Sequence, residues 1–482
     1  MLRNWQLIIT LERKGELALH LQIVQAIVQE IRRGRLVAGD ALPGSRALAN
    51  ALSINRKTAV QAYEELLAQG WIETRPRKGA FVSAALPNVS HSLNPPSEEP
   101  LAAPLTSRSA LNADEDKPLL QFSDGVPDTR LVPFNAISRA FRHAIVSSSR
   151  ANQLAYGDPR GSARLRAAVA QMLRAERGMA VADEQVCIVR GSQMGIYLSA
   201  QLLAGSGRSI ALETLSYPPA REAFRACGLT VIDVQQDAQG MDLDHLEKLC
   251  QQHRLGAVYT TPHHQFPTTV MLPVERRMRL LELSTKYGFT IIEDDYDHEF
   301  HFSHSPMLPL ASAQAAENVI HIGSLSKVLA PGLRVGYLVA PRPIVDRCAE
   351  QIMLIDRQGN AITELAVEEL MRDGEVKRHI RRALKIYQAR RDHAVGQVAK
   401  HLPQAEFTVP PGGLALWLRF PPATPMREIE ARAQHAGLGI LPGYRFSGRG
   451  EDIPALRLGY ASMNSGEFDH AIALLAKAFK RE

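Results

Sequence analysis

Residues 323–336 read GSLSKVLAPGLRVG and place a lysine, two serines and an arginine between two largely apolar segments. Lys327 comes just after Ser324 and Ser326, and Arg334 lies seven residues further on. The flanking runs VIHI and YLV predict buried strands, so the lysine lies where buried structure ends. Hydroxyls and a guanidinium can bind a phosphate dianion. Burial beside a second cation favours the neutral amine, which attacks an aldehyde.

This segment resembles the S-x-S-K…R signature of fold-type I pyridoxal 5′-phosphate (PLP) enzymes. The resemblance implies that PLP forms a Schiff base with Lys327, while Ser324, Ser326 and Arg334 bind its phosphate. Taken alone, the segment could also be a surface Ser-Lys loop before a strand.

Apolar runs that alternate with amphipathic stretches from about residue 120 onward predict an α/β fold with a mostly parallel sheet. Because about 360 residues exceed a single core, we expect a large part over 120–341 and a smaller subdomain over 342–482. The predicted strands are Val186–Val189, Ser209–Leu212, Thr230–Val234, Gly256–Thr260, Thr290–Ile292, Val319–Ile322 and Gly336–Val339.

Two further segments follow predicted strands in the order that fold-type I aminotransferases use. Ser192 and Gln193 open a helix after the first strand, where free backbone N–H groups can hold phosphate. Tyr217 follows the second strand, and the resemblance implies that its ring stacks on the pyridine of PLP. A half-buried core tyrosine is the alternative.

The strand that reads IIEDDYDHEF, residues 291–300, ends in carboxylates. A PLP ring acts as an electron sink when a carboxylate keeps its N1 protonated. The resemblance assigns Asp294 to N1 and Tyr296 to O3′, with Asp295 as the rival for N1. His298 and His301 extend the cluster, but no further Cys or His ligand lies nearby in the sequence, so we predict no metal site.

Two more residues match the family. Arg457 lies in an apolar strand, where a buried guanidinium favours a bidentate carboxylate. The resemblance implies that it binds the α-carboxylate of an amino acid, the alternative being an internal salt bridge. Tyr156, in YGDPRG, implies a homodimer, because in the family this tyrosine reaches the cofactor phosphate of the partner subunit.

The first 84 residues predict three helices followed by a strand, a basic turn and a strand, which is a winged helix-turn-helix. The run LPGSRALANALSINRKTAVQAYEELLAQGWIETRPRKGAFV closely resembles the GntR-type winged helix. Residues at the helix N-termini and the wing tip suit contacts with phosphates and base edges of operator DNA. A solvated basic face is the alternative for any one cation. The candidate DNA-binding residues are Ser45, Arg46, Asn55, Arg56, Lys57, Thr58 and Lys78.

Charge and composition agree with this division. Residues 1–85 hold 12 Lys and Arg against 7 Asp and Glu, in a chain of net formal charge +6. Residues 85–119 are rich in Pro, Ser, Ala and acids, which predicts a flexible linker. The chain has no apolar run long enough for a membrane span and no secretory signal. Four scattered cysteines without a CxxC pair are typical of a reducing cytoplasm.

A GntR-like head joined to an aminotransferase-like body resembles the MocR subfamily of bacterial regulators. The motif TPHHQFPT, residues 261–268, also resembles the MocR form, but His263 stands where the residue is usually small, Thr269 replaces a glycine and Met194 replaces a common glutamine. The resemblance implies a DNA-binding regulator that senses PLP or an amino compound. An active aminotransferase with an accessory DNA-binding head is the alternative, and a body that serves only as a dimerisation scaffold is a weaker one.

Overall fold

The computed structural model describes residues 9, 11–13, 17–76, 78–86, 120–150, 155–302, 307–313, 316–325 and 327–480. The chain divides into two compact units, residues 1–110 and residues 111–482. Most of the predicted linker, residues 87–119, lies outside the described residues.

The N-terminal unit is the predicted winged helix. Its helical apolar stripe buries Ile23 and Ile27 against Leu48 of the second helix and Leu66 of the third. The Tyr63 hydroxyl donates to the Pro43 carbonyl (2.6 Å), which ties the third helix to the start of the second. The elements are α1 (Leu19–Arg32), α2 (Ser45–Ala51), α3 (Arg56–Ala68), β1 (Ile72–Arg75) and β2 (Gly79–Val82), the two strands pairing antiparallel.

All seven predicted strands of the larger unit join one seven-stranded sheet of order β4-β12-β11-β10-β9-β5-β6. Every pairing in it is parallel except those of β12, which runs antiparallel to both neighbours. Six of the strands are buried along almost their whole length, as expected when helices cover both faces, whereas the edge strand β6 is buried only at its last residue. Their bounds are β4 (Val186–Val189), β5 (Ser209–Glu213), β6 (Thr230–Val234), β9 (Leu255–Thr260), β10 (Thr290–Asp295), β11 (Val319–Ser324) and β12 (Gly336–Val339).

Helices and seven further strands form the rest of the unit. The strands outside the seven-stranded sheet are β3 (Leu120–Gln121), β7 (Gln236–Asp237), β8 (Gly240–Met241), β13 (Ala415–Arg419), β14 (Leu438–Gly439), β15 (Leu441–Pro442) and β16 (Ala455–Gly459). The helices are α4 (Phe134–Arg150), α5 (Ala163–Arg177), α6 (Ser192–Leu203), α7 (Pro218–Ala226), α8 (Leu243–Gln252), α9 (Val274–Tyr287), α10 (Arg342–Asp356), α11 (Ala361–Arg372), α12 (Glu375–His401), α13 (Met426–His435) and α14 (Ser465–Phe479).

A separate apolar core lies in the C-terminal part, where α12, α13 and α14 cover the small sheet β13-β16-β15. Phe122 belongs to this core, and β3 pairs parallel with β14, so the start of the unit packs with its end. Val345 of α10 and Val367 of α11 pack in the cores around the large sheet instead. The boundary that the sequence predicts near Arg342, between the large part and the smaller subdomain, therefore stays a prediction. The helices of the C-terminal core are α12, α13 and α14.

Within the described ranges, no helix has both the length and the apolarity that crossing a bilayer requires.

Candidate functional site

A cavity of about 440 Å³ opens at the carboxyl ends of the parallel strands β9, β10 and β11. Ligands bind at this edge in open α/β sheets, because the loops that follow neighbouring strands converge there. The cavity brings together eight residues that the sequence assigned to one site. They are Ser192, Gln193, Tyr217, Asp294, Tyr296, Ser324, Lys327 and Arg334.

Lys327 lies just beyond the end of β11, and its amine points over the ring of Tyr296. The Lys327 Nζ is 4.3 Å from the centroid of that ring. The Tyr296 hydroxyl donates to the His264 carbonyl at 3.0 Å, which holds the phenol at the wall of the cavity. The amine and the phenol are thus adjacent, as the family pattern requires.

Asp294 is the carboxylate of β10 that lines the cavity. Its Oδ2 accepts a 2.9 Å hydrogen bond from the Tyr259 hydroxyl, whereas its Oδ1 is buried with no hydrogen-bond partner among the described residues. Burial raises the pKa of Asp294 to about 7. A buried oxygen without a donor is suited to a ligand that brings its own N–H group.

Asp295 points to the opposite face of the strand, because side chains alternate along β10. Its Oδ2 lies 3.3 Å from the guanidinium of Arg177 and 3.0 Å from His298 Nδ1. The nearby His298 and the Arg177 guanidinium hold the pKa of Asp295 well below its usual range even though the carboxyl is buried. Asp295 does not line the cavity, so the geometry favours Asp294 over this rival as the partner of N1.

The start of α6 and Arg334 lie together at one end of the cavity, where their N–H groups could hold an anion. Ser192 and Gln193 are the first two residues of α6, where backbone N–H groups lack helical acceptors. The Arg334 Nη2 donates to the Arg190 carbonyl (2.9 Å), and a Cβ added at Gly191 would lie 3.0 Å from that nitrogen. Glycine suits this position mainly because Gly191 has φ +75°, a conformation that strains other residues. Arg334 itself has φ +51°, a conformation found mostly where function over-determines the backbone.

Arg457 is buried in β16 and lies beside the cavity rather than in its lining. Its Nε donates to the Asp124 carbonyl (2.7 Å), its Nη1 donates to the Pro267 carbonyl (2.6 Å), and its guanidinium lies 4.3 Å from the centroid of the Phe266 ring. No carboxylate in the described part of the chain forms an ion pair with it. The internal salt bridge considered as the alternative is therefore not formed among these residues.

Two predicted site residues lie elsewhere. Tyr156 is 76% exposed, lies against Arg357, whose Cζ is 4.7 Å from its ring centroid, and does not line the cavity. Ser326 lies outside the described residues.

The structure adds cavity residues that the sequence analysis did not assign to the site. Tyr259 orients Asp294, while Asp124 and Thr261 contribute to the lining. Tyr259 is the penultimate residue of β9, which pairs with β10, the strand of Asp294, and this neighbour relation was the available signal. Asp124 comes from the first residues of the unit, so nothing local in its sequence indicated the site.

The candidate DNA-binding residues of the N-terminal unit lie at helix starts and at the wing. Asn55 caps α3, because its side-chain oxygen accepts the Lys57 N–H at 2.9 Å. Arg46, Arg56 and Lys57 are exposed, and none forms an ion pair with a described residue. Ser45 begins α2, Thr58 lies in the first turn of α3, and Lys78 is exposed between the two strands of the wing.

Each of the two units matches a known protein family. The profile of the family "Aminotransferase class I and II" matches residues 117–475, and that of "Bacterial regulatory proteins, gntR family" matches residues 19–82. The HTH-type transcriptional regulator TauR of Rhodobacter capsulatus is 32% identical, over 97% of this chain and 97% of its own. The probable rhizopine catabolism regulatory protein MocR of Rhizobium meliloti is 28% identical, over 98% of this chain and 96% of its own.

The chain belongs to the MocR family of regulators. Its larger unit also resembles the α-aminoadipate aminotransferase LysN of Thermus thermophilus, crystallised with N-(5′-phosphopyridoxyl)-L-leucine. The TM-score is 0.69 at 28% identity, covering 75% of this chain and 92% of LysN. The predicted GntR-type winged helix and fold-type I body are thereby confirmed, and this MocR-type chain carries the domain of PLP-dependent enzymes.

Proposed function

We propose that this MocR-type regulator binds PLP covalently at Lys327, binds operator DNA through its winged helix, and responds to a small amino compound or to PLP itself. The observation that carries the proposal is the meeting of Lys327, Asp294 and Arg334 in one cavity of about 440 Å³. An amine, a buried carboxylate and a cation are the three groups that the aldehyde, the ring nitrogen and the phosphate of PLP would each need.

The chain's own residues fit PLP at each end. Bound PLP supplies an electrophilic aldehyde and a ring that withdraws electrons. The unpartnered Oδ1 of Asp294 would accept the ring N–H, while Tyr259 holds the other oxygen of that carboxylate. Arg334 and the backbone N–H groups at the start of α6 would bind the phosphate. Tyr217 lines the same cavity and packs edge-to-face with Phe266 at 5.1 Å, in keeping with a stacking role.

Arg457 gives the site a means of selecting its effector. Its guanidinium is fixed by two backbone carbonyls and has no carboxylate partner among the described residues. A ligand with a carboxylate would meet a donor already oriented, which reduces the entropy lost on binding. The effector class we propose is therefore an amino compound with an acidic group at the Arg457 side of the cavity.

Transcriptional output would follow from ligand exchange at Lys327, without catalytic turnover. A ligand amine that takes the place of the Lys327 amine frees that side chain, and a ligand changes a conformational equilibrium only through contacts that differ between the two states. Tyr156, exposed in its own subunit, supports a homodimer in which it completes the partner's phosphate site.

Borohydride treatment followed by peptide mass mapping tests the attachment, and the expected result is a pyridoxyl group on Lys327. A label on Lys286 or Lys377, or no label, would contradict the proposal. Both lysines are solvent-exposed and paired with carboxylates, which makes them suitable internal controls.

An active aminotransferase is the second candidate, because the cavity keeps the residues that such an enzyme needs. Transcription and transamination measured on the same preparations separate the two. We expect Lys327→Ala to abolish the response to effector while much of the operator affinity remains. Turnover at ordinary enzyme rates, roughly 1–10³ s⁻¹, together with a physiological role that survives deletion of residues 1–85, would establish the aminotransferase instead.

A further inference from the structure

Three buried side chains meet behind the cofactor cavity. His263 follows β9, Asp295 ends β10, and His298 comes three residues later. One nitrogen or oxygen atom from each lies within 4.8 Å of those from the other two. All three are at most 5% exposed. The cluster is distinct from the cofactor site, because Asp295 points away from the face that Asp294 presents to the cavity.

Several polar atoms of this cluster lack partners. Both ring nitrogens of His263 are buried without a hydrogen bond to any described residue, and so is the Oδ1 of Asp295. An unpaired buried donor or acceptor costs about 1–3 kcal/mol, so native proteins rarely leave several together. The His263 ring packs 4.7 Å from that of His298, but ring contacts do not satisfy nitrogen lone pairs.

The charges around the cluster suit a cation. Asp295 and Glu299 both pair with the single buried guanidinium of Arg177, which leaves one negative charge in excess.

We propose that His263, Asp295 and His298 form a binding site for a zinc ion, or another divalent metal of similar softness. Two imidazoles and one carboxylate are a ligand set that Zn²⁺ uses when a water fills its fourth position. The inference goes beyond the proposed function and does not depend on it. It also departs from the sequence analysis, which predicted no metal site because no third ligand lay nearby in the sequence.

The geometry requires only a small adjustment. Tetrahedral zinc with bonds of about 2.1 Å places its ligand atoms about 3.4 Å apart. His298 Nδ1 already lies 3.0 Å from Asp295 Oδ2, and no two of the three ligand atoms are more than 4.8 Å apart, so the remaining separations need to close by at most about 1.4 Å. An ordered water is the competing occupant, because it too would satisfy unpaired nitrogens.

Zinc stoichiometry and cobalt spectra of the full-length protein test the site. After removal of metal with a chelator and dialysis against zinc chloride, we expect one zinc per protomer in the wild type and a rise in melting temperature with free zinc. Cobalt chloride should give the visible absorption of a tetrahedral site. His263→Gln and His298→Gln should each lower zinc affinity by about tenfold or more, since each removes one ligand.

The matched control is His393→Gln, which alters another histidine–aspartate pair, that of His393 and Asp469 on the surface. It should bind zinc as the wild type does. A wild type that keeps no zinc and shows no cobalt absorption would overturn the proposal and leave water as the occupant. Full zinc binding by the double variant His263→Gln/His298→Gln would overturn it equally. The wild-type measurements decide the matter even where a variant fails to fold.

Discussion

Asp294 and Asp295 are neighbours at the end of β10, but their side chains have different partners. Asp294 has one oxygen held by Tyr259 and one without a partner among the described residues, whereas Asp295 is paired with Arg177 and His298. Two chemically identical side chains are thus assigned to different tasks by the side of the strand on which each lies.

Exchanging each aspartate for asparagine should separate those tasks. Asp294→Asn removes the counter-charge to the ring nitrogen, a charged hydrogen bond worth about 1.5–3 kcal/mol, so PLP affinity should fall about 10- to 100-fold and the absorption spectrum should change. Asp295→Asn is the control, and the spectrum and affinity for PLP should stay close to wild type. Titration of the cofactor-free proteins with PLP measures both, and the reverse order of effects would show that the site is misassigned.

Thr269 is a second position where one residue's conformation has a measurable consequence. It has φ +62° in a buried turn, at a position that is glycine in the MocR motif this segment resembles, and its N–H donates to the Gln265 carbonyl at 2.7 Å. A β-branched residue is strained there. Thr269→Gly should therefore stabilise the protein by about 1 kcal/mol, seen as a higher midpoint in urea.

Thr269→Ala is the matched comparison for that change, because it removes the branch but keeps a Cβ at positive φ. It should recover little of the gain. Equal stabilisation by Thr269→Ala and Thr269→Gly would mean that the threonine side chain is strained by its neighbours, and that the positive φ of the backbone is not the cause.

In the winged helix, the candidate DNA contacts come from the first turns of two helices, α2 and α3. The starts of α2 and α3 carry exposed cations without ion-pair partners among the described residues, and Asn55 fixes where α3 begins. We predict that Arg46→Ala and Arg56→Ala weaken operator binding and each lower the slope of log affinity against log salt by about one.

Arg35→Ala is the control within the same head, since Arg35 follows α1 and pairs with Glu30 at 2.5 Å. Its operator affinity and salt slope should match the wild type. Gel shifts or fluorescence anisotropy over a salt series give the measurement, and unchanged slopes for Arg46→Ala and Arg56→Ala would remove these helices from the interface.

The end of β5 carries a buried acid that makes stability depend on pH. Burial raises the pKa of Glu213 to about 8, against an ordinary value of 4.5. The unfolded chain releases this proton at lower pH than the folded chain does, so its contribution to stability is complete below pH 4.5 and is lost as pH rises through 8. A shift of this size corresponds to a few kcal/mol.

Glu213→Gln should flatten that dependence. Melting temperatures measured from about pH 5 to about pH 9 should fall more steeply in the wild type than in Glu213→Gln, with the curves diverging as pH rises. Parallel curves would mean that Glu213 titrates normally in the folded protein.

For the molecule as a whole, the exposed Tyr156 predicts sites shared between two subunits. A hybrid dimer of one Lys327→Ala protomer and one Tyr156→Ala protomer would then have one intact site, which combines Lys327 of one subunit with Tyr156 of the other. We expect one of its two sites to bind PLP with wild-type affinity, while the Tyr156→Ala homodimer binds weakly at both.

Tandem affinity purification of co-expressed, differently tagged protomers yields the hybrid, and PLP titration counts its tight sites. The Lys327→Ala homodimer serves as the background. No tight site in the hybrid would show that Tyr156 acts within its own subunit or not at all.

Local patterns in the chain were enough to predict the main elements. Period-2 and period-3.6 apolar patterns involve only near neighbours, so the seven strands of the large sheet and the winged helix were predicted within a few residues. The cavity residues Lys327, Arg334 and Tyr217 were found instead by the resemblance to fold-type I PLP enzymes, because each stands in a motif of that family.

Which side chains meet across sequence distance depended on the folded arrangement instead. Only the folded sheet and the loops after its strands show that Tyr259 holds Asp294, that Asp295 pairs with Arg177, and that His263 lies beside His298. Only the packing brings Asp124 into the cavity wall and fixes Arg457 between two carbonyls. A strand pattern specifies which residues alternate but not which face meets the cavity, because long-range burial makes that choice.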